Sequence, residues 1–178
     1  MLGKGLKSAR EISGSICKIN LACNSCTRKT IHHLCDSVPP QTLSQINDIN
    51  LYDNNLDKSA FDQLSNLMPH LTNLDTISPT ANPGGDGAMV KLSQKLTQLV
   101  SLNISGIRLG LSDIQALSQL LKSTQCLEEF KIGDPYMSEE CVSLMVEVVF
   151  SPSSFEMIFL CSIKWTSNNI DNFTVGEQ

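Results

Sequence analysis

An aliphatic pattern, L-x-x-L-x-L-x-x-N-x-L with L standing for any aliphatic residue, returns six times along these 178 residues and limits what the chain can fold into. Its clearest copy is Ile46, Ile49, Leu51, Asn54, Leu56. Two more keep the asparagine: Ile16, Ile19, Leu21, Asn24, Cys26, and Leu160, Ile163, Trp165, Asn168, Ile170. Looser copies are Leu74, Ile77, Pro79, Asn82, Gly84, then Leu99, Leu102, Ile104, Ile107, Leu109, then Leu127, Phe130, Ile132, Pro135, Met137. The units therefore start near 16, 46, 74, 99, 127 and 160, in steps of 30, 28, 25, 28 and 33 residues.

After each strand-like first half the apolar spacing switches to steps of about four, as in Ala60, Leu64, Met68 and in Ala88, Leu92, Leu96. The same holds for Leu117 and Leu121 and for Cys141, Met145 and Val149. Such steps put side chains on one helical face, so each unit reads as strand, turn and helix. One unit cannot bury both faces by itself; units must stack and share a core. The expected fold is an α/β leucine-rich-repeat solenoid, a horseshoe with parallel strands on its concave face and helices on its convex face. Residues 1–15 read as the helical half of a preceding unit or an N-terminal flank, 16–173 as about six repeats, and 174–178 as a tail. With neither end visibly capped, a longer chain is expected.

Asn24, Asn54, Asn82 and Asn168 fall where the chain leaves the strand, and an amide there can satisfy backbone groups of a buried turn. Ile107 and Pro135 replace it in the fourth and fifth units, which should turn differently. In the third unit Pro79 takes an inward position within the stretch Ser78 to Gly87, which holds two prolines and three glycines, predicting a frayed strand and an open loop. That loop lacks the lysine and spacing of a phosphate-binding loop.

The units resemble the ribonuclease-inhibitor-like leucine-rich repeats, most closely at the unit start Cys126-Leu127-Glu128-Glu129-Phe130-Lys131-Ile132. The resemblance extends to the repeat regions of nucleotide-binding innate-immune receptors (NACHT type) and to GTPase-activating proteins for Ran. It implies a protein-protein interaction module: the ligand-sensing or autoinhibitory region of an innate-immune receptor-like protein, or alternatively a regulator of a small GTPase. A non-binding repeat remnant is the third reading, motivated by Pro79 and Pro135.

In such a solenoid a partner meets the residues between the inward aliphatics. They are Lys18, Asn20 and Ala22; Asp48, Asn50, Tyr52 and Asp53; Asp75 and Ser78; Ser101, Asn103 and Ser105; Glu129, Lys131 and Gly133; and Ser162, Lys164 and Thr166. Tyr52, between Asp48 and Asp53, is the expected anchor for a partner with a basic rim.

The remaining features define the expected setting. Net charge is −5, but residues 1–30 carry six cations against Glu11, leaving −10 for the rest, so neither nucleic acid nor membrane is an expected partner. The chain shows no signal peptide, and seven scattered cysteines suit reduced thiols in a cytoplasmic protein. Asn103-Ile104-Ser105 and Asn172-Phe173-Thr174 match a glycosylation pattern that such a setting leaves unused. Cys23, Cys26, His32, His33 and Cys35 superficially resemble a zinc site, yet the repeat register makes them diverge. No nucleophile signature is present, and Glu128-Glu129 and Glu139-Glu140 are neighbours only in sequence. The reading is of a non-enzyme without metal or cofactor.

Overall fold

The computed structural model describes residues 16–149, 157–161 and 163. Its six strands are β1 (Lys18–Asn20), β2 (Asp48–Asn50), β3 (Thr76–Ser78), β4 (Ser101–Asn103), β5 (Glu129–Ile132) and β6 (Met157–Leu160), and they pair in sequence order, every pair parallel. The helices are α1 (Arg28–Ser37), α2 (Pro40–Leu43), α3 (Lys58–Leu67), α4 (Ala88–Ser93), α5 (Leu111–Ser123) and α6 (Glu139–Val149), with a 3-10 turn at Met68–His70. Parallel neighbours need a crossover, and here each crossover is the helical half of one unit. The architecture is the expected α/β solenoid.

Burial follows the pattern that defined the units. In β2, β3 and β4 the central residues Ile49, Ile77 and Leu102 are buried between half-exposed flanks. The helix positions spaced by four, among them Ala60, Leu64, Leu92, Leu117, Leu121 and Met145, close the same core from the other side. Phe61 and Phe130, both fully buried, are its largest members. Truncating either to Ala would cost about 3–5 kcal/mol.

One register differs from expectation. Phe130 pairs with Ile158 and Ile132 with Leu160, so the sixth strand points Ile158 and Leu160 inward rather than Ile163 and Trp165. The step from the fifth unit is therefore 28 residues, like two of those before it, and not 33. Ile163 is buried three residues past Leu160, the place Asn54 holds relative to Leu51. Ser162, Lys164, Trp165, Thr166 and Asn168 lie outside the described residues, as do residues 1–15 and 174–178.

Candidate functional site: the strand face and the turns that hold it

The turns explain why the strands stay in register. Asn54 is buried, and its Oδ1 accepts from the Asn24 and Cys26 N–H groups at 3.1 and 2.7 Å. Its Nδ2 donates to the carbonyls of Leu21, Leu51 and Tyr52 at 2.9, 2.9 and 3.1 Å. Asn82 repeats this one unit on: Oδ1 accepts from Leu56 N–H at 2.9 Å, and Nδ2 donates to Leu51, Pro79 and Thr80 carbonyls. An amide can both give and accept, so each side chain closes its own turn and the one before it. Asn24 is exposed and donates only to Ala22 O at 2.7 Å.

Where the asparagine is absent, other groups serve. Asp134, one residue before Pro135, is buried; its carboxylate accepts from Leu109 N–H at 3.2 Å and Tyr136 N–H at 2.8 Å. Asp113, fully buried in the first turn of α5, accepts from Gly87 and Gly110 N–H at 2.8 and 2.9 Å on Oδ2 and from Met89 N–H at 2.7 Å on Oδ1. It thus caps α5 and the head of α4 together.

This corrects the expectation of an open loop in the third unit. Gly84 and Gly87 are buried, and Gly87 takes a φ of 83°, which a residue with a Cβ adopts only at a cost. Lys58 Nζ donates to Asp86 O at 3.0 Å, and Ser112 Oγ to Asp86 Oδ1 at 2.8 Å. The N–H groups that could have faced a phosphate are already spent on Asp113. Nor is β3 frayed, since it pairs on both sides. Pro79 cannot donate to Asn103 O, and the Thr80 hydroxyl does so instead at 3.1 Å. A side chain here replaces a missing backbone donor.

The strand face then reads as three rows across the sheet. Lys18, Asp48, Thr76, Ser101, Glu129 and Met157 make the first, by direct pairing. Asn20, Asn50, Ser78, Asn103, Lys131 and Phe159 make the second, and Ala22, Tyr52, Thr80, Ser105, Gly133 and Cys161 follow just past the strands. Asp75 is not among them: it precedes β3 by one residue, on the opposite parity, and its carbonyl accepts from Val100 and Ser101. Asp53 sits beyond the strand in a left-handed turn (φ 51°), exposed beside Tyr52. Gly133 is buried, since a Cβ there would collide with the Cys161 backbone.

Most polar groups on this face are engaged with one another. Asn20, Asn50 and Asn103 each accept, on Oδ1, the N–H two residues ahead at 3.0, 3.0 and 3.1 Å. Lys18 pairs with Asp48 at 3.3 Å, and Lys131 with Glu129 at 2.8 Å. The Lys131 ammonium and then the Ser101 hydroxyl, 2.7 Å away, hold the Glu129 carboxyl below its ordinary value. Lys131 Nζ also lies 4.7 Å from the centre of the Phe159 ring, a cation–π contact. Asp48, expected to offer a partner negative charge beside Tyr52, is therefore already matched by Lys18. Beside exposed polar residues such as Lys18, Asn20 and Asp53, the face carries large exposed side chains: Tyr52 at 46%, Met157 at 47% and Phe159 at 41%, with Tyr136 past the end of β5 at 79%. Sequence reasoning missed Met157 and Phe159 because it placed the sixth strand too late.

The cysteine–histidine cluster disperses. Cys26 is buried under the first turn, Cys23 is exposed with a φ of 57°, and His32 and His33 are exposed on α1, His32 within 3.2 Å of Asp36. Burial pushes the Cys26 and Cys35 thiols above their ordinary value, away from the thiolate a ligand or nucleophile must be. Among the described residues, no three His, Cys, Asp or Glu side chains are grouped to hold a metal ion, and no helix is long and apolar enough to cross a membrane.

No protein-family model matches the chain, and no curated protein matches it. Among solved structures it is similar to the tropomodulin C-terminal domain of Caenorhabditis elegans, with a TM-score of 0.63 and 13% identity over 98% of this chain and 97% of that one. At that identity the likeness is one of fold: a leucine-rich-repeat-like α/β solenoid, without a subfamily.

Proposed function

We propose that the chain is a protein-protein interaction module that binds through its strand face, with Tyr52, Asn103, Lys131 and Phe159 in the contact. The observation that carries this reading is the exposure of Tyr52, Met157 and Phe159 on one face most of whose polar groups are engaged with one another. Large side chains held half out of a well-ordered surface are what interfaces use as anchors. The test is site-specific photo-crosslinking in cell extract, with the reactive group at Tyr52, Asn103 or Phe159 and controls at Gln115 and Lys122 on α5. A discrete protein captured from the strand positions and absent from the helix positions is expected. Capture from α5 alone, or from neither face, overturns the reading.

Its finer form makes this chain the ligand-sensing or autoinhibitory region of a nucleotide-binding, innate-immune receptor-like protein in the cytoplasm. Support for that is the unit start Cys126–Ile132 alone, and it requires a nucleotide-binding domain in the same gene product. The alternative, a small-GTPase regulator, draws on Arg28, exposed with Lys29 at the head of α1. Unchanged GTP hydrolysis on adding the chain would remove it. The prolines that motivated a remnant each have a compensating group, Thr80 for Pro79 and Asp134 beside Pro135.

A further inference from the structure

We propose, resting on the strand-face reading, that the partner is an uncharged peptide segment presenting two apolar side chains roughly 20 Å apart, one against Phe159 and Met157 and the other against Tyr52. The spacing comes from the sheet. Tyr52 follows β2 and Phe159 lies in β6, four strand steps of about 4.8 Å apart and offset along the strands by two residues.

The charge preference comes from the pairs. The four ionisable side chains in the rows, Lys18, Asp48, Glu129 and Lys131, sum to zero, and each is held by an opposite charge on the same face. Within the rows a charged segment would have to break one of these pairs to gain its own, which returns little; Asp53, exposed past the rows beside Tyr52, adds a single solvated charge at that end. Lys131 is committed twice, to Glu129 and to the Phe159 ring, so it steadies a ring that is still 41% exposed. The floor between the anchors is short and self-satisfied: Ser78 and Thr80 hydroxyls lie 2.9 Å apart, and Ser101 donates to Glu129. It can carry a polar stretch but gives no strong hold. Affinity then concentrates at the two ends.

At this distance an extended segment places side chains about six residues apart, and a helix about thirteen, so a peptide of about 16 residues reaches both anchors either way. The experiment selects a displayed library of random peptides of that length on the full chain. Expected are peptides of near-zero net charge with two aliphatic or aromatic positions. Their affinity should change less than about twofold between about 0.05 M and 0.5 M salt. It should fall about tenfold or more on Phe159→Ala or Tyr52→Ala. Both anchors are exposed, so circular dichroism and a thermal melt should show each variant folded.

Charged peptides whose binding is salt-dependent and lost on strand-face substitution overturn the partner chemistry and leave the strand face as the site. Peptides indifferent to Phe159→Ala, Tyr52→Ala and Asn103→Arg overturn the strand face itself. A library that yields no binder overturns the segment.

Discussion

The second and third units and the fourth and fifth satisfy their buried backbone groups by different chemistry. In the former, Asn54 and Asn82 use a neutral amide that gives to carbonyls and takes from N–H groups at once. In the latter, Asp134 at the turn and Asp113 at the heads of two helices use carboxylates, which only take. The backbone ladder past the strands is common to both, Leu51 N–H to Ser78 O and Asp53 N–H to Thr80 O as Ile104 N–H to Lys131 O and Gly106 N–H to Gly133 O, so the difference lies in the side chains. The lesson is that the repeat requires the turn's backbone groups to be satisfied, and asparagine is one solution to that requirement.

Exchanging the two chemistries breaks the comparison most directly. Asn54→Asp keeps the acceptor but cannot donate to Leu21 and Leu51 carbonyls, and buries a carboxylate against them. It should cost about 3–5 kcal/mol in chemical denaturation. The reverse change, Asp134→Asn, keeps an acceptor for one N–H but turns its amide NH2 toward the other, Leu109 or Tyr136, and should cost about 1–2 kcal/mol. Equal losses from the two would show that the residue's place, not its donors, matters.

Asp113→Asn comes next, at about 2–3 kcal/mol, because one end of the amide must face an N–H group that the carboxylate now receives. Amide hydrogen exchange should quicken at Gly87 and Met89 before the strands are affected; uniform quickening would mean that the capping is not local. Ala81 holds a φ of 55° immediately before Asn82, and Gly106 occupies the equivalent place in the next unit. Ala81→Gly should therefore stabilise the third unit, by about 0.5–1 kcal/mol, and a lower midpoint would show that the strain is already relieved.

The smallest effect is one of pH. Because the Glu129 carboxyl is held below its ordinary value near 4.5, its contribution is present above that value and is lost as pH falls through the lower, folded one. Lys131→Gln should flatten that acid limb of stability. An unchanged limb would put the acid sensitivity elsewhere.

Much of this was legible in the chain itself. The inward residues Ile49, Ile77 and Leu102 follow from spacing, since a period of two and a fixed repeat leave them no other face. The sixth strand did not, because Met157-Ile158-Phe159-Leu160 has no polar alternation while Leu160, Ile163, Trp165 and Asn168 also satisfy the template. Only pairing with β5 chooses between the two registers. Asp113 was hidden for another reason: an acidic residue in a helix's first turn is ordinary, and its bonds to Gly87 and Met89 span 26 and 24 residues. The one available signal was that the N-cap of α4 is Gly87, which has no side chain to cap with.

The bonds of these residues that leave their own unit point one way along the chain. Asn54 completes groups of the first unit, Asn82 those of the second, Asp113 those of the third and Asp134 those of the fourth. During synthesis from the N-terminus, then, a unit that has just emerged remains unfinished until its successor follows. The growing end would always carry one turn's worth of unsatisfied backbone, and the smallest portion able to settle on the ribosome is a pair of units rather than one.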